Sequence, residues 1–114
     1  MARKILKKGI YWANLDPTMG TEQAGTRPIL VVSIDSFNNN SDSAIAFAIT
    51  SKKPKVTYPL VYELPQKLLP KPSWVKLTQI RTLSTARLGK YLAKIENRDF
   101  EQIMSGFNRL CGYS

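Results

Sequence analysis

Residues 26–35 read Thr-Arg-Pro-Ile-Leu-Val-Val-Ser-Ile-Asp, and this stretch decides the fold class. Its centre, residues 29–32, is a continuous apolar run rich in β-branched side chains, which is typical of a central strand in a sheet. Pro28 has no amide hydrogen to donate, so it opens the strand rather than interrupting it. We therefore expect a buried strand over residues 28–35, with Arg27 where the preceding loop becomes the strand.

Five more strands are predicted around this run from alternation, aromatic content and flanking turn residues. They cover residues 9–15, 44–51, 57–64, 73–83 and 88–95. Pro59 places the strand at 57–64 at an edge or a bulge. The predicted connections are loops at 16–26 and 65–72, a polar turn at 38–43 and a helical turn at 84–87.

One amphipathic helix is predicted at the C-terminus, with Asn97 as its N-cap and Gly112 at its end. Apolar residues recur there at helical spacing, namely Phe100, Ile103, Met104, Phe107 and Leu110. Short strands followed by one helix predict a single domain over residues 1–114, a compact β-barrel with the helix packed beside it. Residues 1–8 are expected to form a basic, partly ordered N-terminal arm.

The chain is strongly basic, with 17 Lys and Arg against 8 Asp and Glu, a net charge of +9 and a pI near 9.9. Such an excess indicates an anionic partner, which leaves nucleic acid, an acidic protein and a membrane surface open, beside a plain role in solubility. No apolar stretch approaches the ~18 residues of a membrane span, and no secretory signal precedes the first strand. We expect a cytoplasmic protein that binds no membrane.

The chain has no histidine and only one cysteine, Cys111. An intramolecular disulfide is therefore excluded, and a zinc site is close to excluded because its usual ligands are missing. We expect no metal and no cofactor. Any catalysis has to come from Arg, Lys, Thr, Ser, Tyr, Asp or Glu side chains, or from a group of the substrate.

Three polar segments could carry chemistry. In residues 20–28, two glycines give backbone freedom to a loop that ends at Arg27, and the planar guanidinium of Arg27 can bind two phosphate oxygens. The alternative role for Arg27 is a surface salt bridge to Glu22. Residues 49–51, Ile-Thr-Ser, place two hydroxyls at a strand end, where they could bind a phosphate. The alternative is an ordinary strand end followed by a turn. Residues 76–82 are expected to alternate along a strand, with Lys76, Thr78 and Ile80 on one face and Leu77, Gln79 and Arg81 on the other.

Five short sequence motifs resemble those of the MazF/PemK toxins of bacterial toxin–antitoxin pairs, in the same order and at the same spacing. They are Gly-Ile-Tyr-Trp at 9–12, Leu-Asp-Pro-Thr at 15–18, Gly-Thr-Glu-Gln-Ala-Gly-Thr-Arg-Pro at 20–28, Ile-Thr-Ser at 49–51 and Gln-Ile-Arg-Thr at 79–82. The motif at 20–28 followed by the motif at 79–82 is specific to the family. The resemblance runs from about residue 8 into the C-terminal helix.

The resemblance implies an SH3-like barrel of the CcdB/MazF type, a homodimer with two RNA sites near its interface, and an acidic antitoxin that blocks them. Such toxins cleave single-stranded RNA or mRNA at a short sequence without metal, leaving a 2′,3′-cyclic phosphate and a 5′-hydroxyl. The family's catalytic arginine and threonine match Arg27 and Thr50, and its glutamine matches Gln79. The remaining residues expected to contact RNA are Glu22, Gln23, Ser51, Lys52, Lys53, Lys76, Thr78 and Arg81.

The chain departs from the Kid/PemK branch, which has an acid and a base where this sequence has Lys76 and Thr78, and a histidine at the position of Thr21. The general base therefore stays open, with Glu22 as the carboxylate expected in reach. The candidate residues for stacking bases are Trp12, Tyr58 and Trp74, and the alternative for each is burial in the core. The basic segment after Thr50 either holds flanking phosphates or forms a solvated loop; its cations are Lys52, Lys53 and Lys55.

Two other functions stay open at this point. A CcdB-like toxin of the same fold would poison DNA gyrase and carry no chemistry of its own. An SH3-like nucleic-acid-binding protein without catalysis is the second.

Overall fold

The computed structural model describes residues 3–15 and 25–113, and the elements there are those of a mainly β protein. The strands are β1 (Gly9–Asn14), β2 (Thr26–Val31), β3 (Ser43–Thr50), β4 (Val61–Glu63), β5 (Trp74–Ser84) and β6 (Leu88–Lys94). The helices are α1 (Asp35–Asn40) and α2 (Asn97–Leu110), and a 3₁₀ turn covers Thr85–Arg87. The predicted fold class, strands followed by a C-terminal helix, is confirmed.

All strands belong to one six-stranded sheet in the order β4-β5-β3-β2-β1-β6, and each neighbouring pair is antiparallel. β2 is paired on both sides and buries Ile29, Leu30 and Val31 completely, so the prediction of a central strand from this run is confirmed. β4 lies at an edge, where Pro59 had placed its segment.

Three predicted boundaries are wrong because side chains pack in ways that local pattern does not show. The strand predicted over 28–35 ends at Val31, and much of the polar turn predicted over 38–43 belongs to helix α1. Asn38 of that helix is buried and donates to the carbonyls of Ile5 and Ser33 at 3.2 and 2.9 Å. β4 is shorter than predicted because the Tyr58 hydroxyl donates to the Gln102 carbonyl at 2.7 Å and draws this segment onto α2.

The two faces of the sheet pack into two separate hydrophobic clusters. One contains Ile29, Val31 and Ala46 and is called here the Ile29 face. The other contains Leu30 and Phe47 together with Ile103 of α2, and it is called the helix face. Because side chains alternate along a strand and direct cross-strand neighbours share a face, the pairing register assigns each strand residue to one of the two.

β5 changes register in its middle. Phe47 pairs with Ile80, but the next residue, Ala48, pairs with Lys76, so residues 77–79 are extra on the β5 side. A bulge of this kind re-aims the side chains on either side of it. The simple alternation expected for residues 76–82 is therefore wrong: Leu77 packs in the helix-face cluster, whereas Arg81 lies opposite Ala46 on the Ile29 face.

The first and last described segments of the chain pack on this body. At the N-terminus, Arg3 donates to the carbonyls of Leu88 and Gly89 at 2.6 and 2.5 Å, and Ile5 is buried in the Ile29-face cluster. At the C-terminus, the prediction of Asn97 as N-cap is wrong by one residue, because Glu96 is the N-cap of α2 and Asn97 is its first helical residue. Gly112 follows the helix with a φ of +84°. A positive φ suits glycine, so its predicted role as the helix stop is confirmed.

Candidate active site

The two predicted catalytic residues lie on neighbouring strands. β2 and β3 pair Ile29 with Ala48 and Leu30 with Phe47. Extending this register by two residues places Arg27 opposite Thr50, on the Ile29 face. Direct cross-strand neighbours have Cβ atoms roughly 4.5–5.5 Å apart. The sheet thus brings together a guanidinium and a hydroxyl that are 23 positions apart in the sequence.

The Thr50 hydroxyl is held by the turn that follows it. The backbone N–H of Lys52 donates to Thr50 Oγ1 at 3.1 Å, the bond of a Thr-initiated turn. One lone pair of the oxygen is thereby occupied, and the hydroxyl hydrogen can still be donated to another group. This arrangement suits a hydrogen bond to an anion better than it suits removal of a proton.

β5 adds charge and an aromatic ring to the same face. Trp74 pairs with Thr50, Lys76 with Ala48 and Arg81 with Ala46. Lys76 and Arg81 are both half-buried, and one nitrogen of Arg81 donates to the Leu15 carbonyl at 3.3 Å. With Arg27, three cationic side chains therefore share the Ile29 face with Thr50, which makes this face positively charged.

The loop between β1 and β2 begins and ends beside this surface. Leu15 N–H donates to the Gly25 carbonyl at 2.9 Å, two residues before Arg27. Arg87, which sequence reasoning did not single out, donates to the Asn14 carbonyl at 3.2 Å at the same end of β1. The predicted RNA contacts Glu22 and Gln23 lie outside the described residues, as does Thr21.

The segment after Thr50 carries the predicted basic loop. Ser51, Lys52 and Lys53 are exposed. Lys53 also lines a cleft of about 500 Å³. That cleft runs along β4, and its other lining residues include Lys55, Tyr58, Glu63 and Trp74.

Thr78 and Gln79 fall inside the register shift of β5 and have no partner on β3. Thr78 is exposed and Gln79 is half-buried. The pairing register therefore does not place either of them next to Thr50, in contrast to Lys76 and Trp74.

The three candidate stacking residues differ in position. Trp12 and Tyr58 are 39% and 36% exposed, so the alternative of core burial is wrong for both, and Trp74 is half-buried. Trp12 lies between two residues of the Ile29-face cluster and therefore points to the helix face, away from Arg27. Only Trp74 is a direct neighbour of Thr50.

A contact between Tyr62 and Asp99 fixes the edge strand to the helix. The Tyr62 hydroxyl donates to Asp99 Oδ1 at 2.6 Å, and Asp99 is buried. Burial, followed by this hydrogen bond, raises the pKa of Tyr62 to about 12. The residues are 37 positions apart, and no sequence pattern links them.

Within residues 3–15 and 25–113, no cluster of three or more His, Cys, Asp or Glu side chains is placed to bind a metal ion. Neither described helix has the length and apolar character needed to cross a bilayer.

A small, mainly β protein of net charge +9, with three cations and a threonine hydroxyl on one sheet face, has features typical of proteins that hold a phosphodiester chain. Comparison with known proteins narrows this class. A family model described as PemK-like, MazF-like toxin of type II toxin–antitoxin system matches residues 7–111. The chain belongs to this family, and the resemblance stated from its sequence words is confirmed.

Individual relatives agree with this assignment. Endoribonuclease EndoA of Bacillus subtilis (strain 168) is 34% identical over 102 residues, which are 87% of this chain and 88% of that protein. The crystal structure of MazF (Form-I) from Deinococcus radiodurans has a TM-score of 0.86 and 27% identity, covering 97% of this chain and 99% of that one. An endoribonuclease in complex with its cognate antitoxin, from Mycobacterial species, shares the fold with a TM-score of 0.76 and 20% identity over 99% of this chain and 98% of its own. The family match favours the MazF-type interpretation over a CcdB-like one.

Proposed function

We propose that this chain is the toxin of a toxin–antitoxin pair and a sequence-selective endoribonuclease that cleaves single-stranded RNA or mRNA without metal. The observation that carries the proposal is the position of Arg27 opposite Thr50, with Lys76 and Arg81 on the same face. Homology to an endoribonuclease supports the same conclusion.

The proposed reaction uses a nucleophile that RNA itself supplies. The 2′-hydroxyl attacks the adjacent phosphorus, the new P–O2′ bond forms and the P–O5′ bond breaks. The proton of the 2′-hydroxyl passes to a base, and the leaving 5′-oxygen takes up a proton. The products are a 2′,3′-cyclic phosphate and a 5′-hydroxyl. The protein has to align these atoms and stabilise the extra negative charge on phosphorus oxygens.

Arg27 and Thr50 suit the charge and alignment roles. The permanently charged guanidinium of Arg27 can donate to two phosphate oxygens. The Thr50 hydroxyl, oriented by Lys52 N–H, donates to a third oxygen or to the 2′-oxygen. Removing one such donor typically costs roughly 100- to 1000-fold in rate. We assign both residues to catalysis.

Glu22, the carboxylate expected in reach, stays the candidate for the base in this proposal. Among the described residues, Glu63 is the carboxylate in the cross-strand row of Thr50, since it pairs with Trp74, which pairs with Thr50. Two strand spacings of about 4.8 Å separate Glu63 from Thr50, so its backbone lies roughly 10 Å from the proposed phosphate site. Glu63 is better placed to meet a neighbouring nucleotide.

RNA binding and inhibition are proposed to use the positive surface. The residues assigned to RNA contact are Glu22, Gln23, Ser51, Lys52, Lys53, Lys76, Thr78, Gln79 and Arg81. An acidic antitoxin segment would occupy the same cations. The mycobacterial endoribonuclease named above also binds a cognate antitoxin. We further propose a homodimer in the cytoplasm, with RNA bound near the dimer interface.

The test is cleavage of a long unpaired RNA by the purified protein in EDTA, with chemical analysis of the new ends. Cleavage that leaves cyclic phosphate and 5′-hydroxyl ends, and that Arg27→Ala abolishes without unfolding the protein, is the expected result. A strict need for added magnesium would exclude the metal-free route. Intact RNA together with inhibition of DNA gyrase would instead support the CcdB-like function.

A further inference from the structure

The side chains that line the cleft along β4 include three kinds suited to binding a nucleotide. Aromatic rings come from Tyr58 and Trp74, positive charge from Lys53 and Lys55, and one carboxylate from Glu63. Its volume of about 500 Å³ is in the range of small-ligand sites. The cleft adjoins the proposed active site because Trp74 and Thr50 are direct cross-strand partners.

The aromatic walls are held in place before any ligand arrives. Tyr58 donates to the Gln102 carbonyl, and its ring stands edge-on to Tyr62 with centroids 6.3 Å apart. Tyr62 is in turn bonded to Asp99 of α2. Trp74 is half-buried within a paired strand. Fixed rings lose little conformational entropy when a base stacks on them.

Glu63 faces this cleft with its hydrogen-bonding capacity unused. The side chain is exposed and is the direct cross-strand neighbour of Trp74. Across the described residues, no hydrogen bond or ion pair engages its carboxylate. A carboxylate offers two acceptor oxygens side by side and no donor.

We propose that this cleft binds one unpaired guanine of the RNA, stacked on Trp74 and recognised at its Watson–Crick edge by Glu63. Guanine is the one common base with two adjacent N–H donors on that edge, N1–H and the 2-amino group, which match two carboxylate oxygens. Lys53 and Lys55 hold the phosphates on either side. The proposal rests on the proposed function, and it names the base next to the cleaved bond as the determinant of sequence selectivity.

The chemistry of Glu63 predicts a change of preference, not only a loss. Glu63→Gln replaces two acceptors with one acceptor and one donor, which match the amino group and ring nitrogen of adenine. A good bidentate pair gives about 5- to 150-fold discrimination between bases. Stacking on an aromatic ring contributes a similar factor per base, so Trp74→Leu should weaken binding of every base by about that amount.

Binding can be measured without cleavage. Trp12→Phe leaves Trp74 as the sole tryptophan, because the chain has two. Quenching of its fluorescence is titrated with 2′-O-methyl pentamers of uridine that carry guanine, inosine, adenine or uracil at the centre. These oligonucleotides lack the attacking hydroxyl. We expect affinity to fall from guanine to inosine, which lacks the 2-amino group, and further to adenine.

The matched control is Asp42→Asn, which removes one negative charge at the opposite end of β3, roughly 25 Å of strand from Thr50. Asp42→Asn should keep the guanine preference, and Glu63→Gln should transfer it to adenine. Absence of quenching, or an unchanged preference in Glu63→Gln, would overturn the proposed pocket.

The two proposals fail separately. If the protein cleaves no RNA but the guanine pentamer quenches Trp74 selectively, the pocket stands and the endoribonuclease function does not. If RNA is cleaved and the mapped cut sites of Glu63→Gln match those of the parent, the function stands and the pocket is wrong.

Discussion

Replacing Thr50 by valine separates the chemical from the structural role of its hydroxyl. Valine keeps the β-branched shape that suits the end of β3, so only the oxygen is lost. The bond from Lys52 N–H at 3.1 Å disappears, but that N–H lies in an exposed turn where water replaces the acceptor. The expected loss of folding stability is therefore about 0.5–1 kcal/mol.

The expected loss of activity is larger than the loss of stability. A hydrogen bond to the reacting phosphate that forms mainly in the transition state is worth about 2.7–4 kcal/mol, or roughly 100- to 1000-fold in rate. Because the ground state gains little from such a bond, RNA affinity should change little. The gap between the two free energies identifies a catalytic hydroxyl.

Single-turnover cleavage of one short unpaired RNA measures the rate, and thermal unfolding measures the stability. Thr50→Ser keeps the oxygen and should keep most of the rate, and Thr78→Val should have the milder effect because Thr78 lies in the register shift, without a partner on β3. The reasoning is refuted if Thr50→Val cleaves at the parental rate, or if Thr78→Val is the crippling change.

Three further outcomes follow from described contacts. The pKa of Tyr62 is raised from 10.0 to about 12, so between these pH values the folded protein keeps a proton that the unfolded chain loses. The resulting stabilisation is complete below pH 10 and is lost as the pH rises towards 12. Tyr62→Phe should remove this part of the pH dependence of alkaline unfolding, along with the bond to Asp99. Gly106→Ala adds a Cβ 2.8 Å from a leucine methyl and a tyrosine ring. The cost of overpacking, about 1–3 kcal/mol, exceeds the gain of about 1 kcal/mol from the better helix propensity of alanine. The melting temperature should therefore fall. The double variant Lys52→Ala, Lys53→Ala should make the negative slope of log affinity against log salt shallower by about 1.4, because each phosphate contact on a single strand contributes about 0.7. An unchanged slope would show that neither lysine contacts phosphate.

Most of the fold could be predicted because its strands carry strong local patterns. The run Ile29–Val31 is apolar enough to require burial on both sides, and Gly112 is a clear helix stop. Helix α1 was not predicted because one of its polar residues, Asn38, is buried and bonds to the backbone of Ile5, far away in sequence. Local polarity indicates a turn wherever such long-range contacts are not known.

The candidate site divides in the same way. Arg27 and Thr50 could be named from short sequence motifs, and the register of β2 with β3, extended by two residues, places them opposite each other. Glu63 could not be found, because its place in the cross-strand row depends on two registers, β3 with β5 and β5 with β4. The register shift at Ala48 is invisible in the alternation of residues 76–82, and it alone puts Lys76 on the side of Thr50.

A double-mutant cycle of Arg27→Ala and Thr50→Val, read by single-turnover cleavage in EDTA, tests most directly whether these residues act together on one phosphate. Residues that act as a unit are strongly non-additive. The account predicts that each single variant loses at least roughly 100-fold, and that the double variant is scarcely slower than Arg27→Ala alone. A double variant whose loss equals the product of the two single losses would contradict a shared site, and an Arg27→Ala protein that cleaves at the parental rate would contradict the assignment of catalysis to this pair.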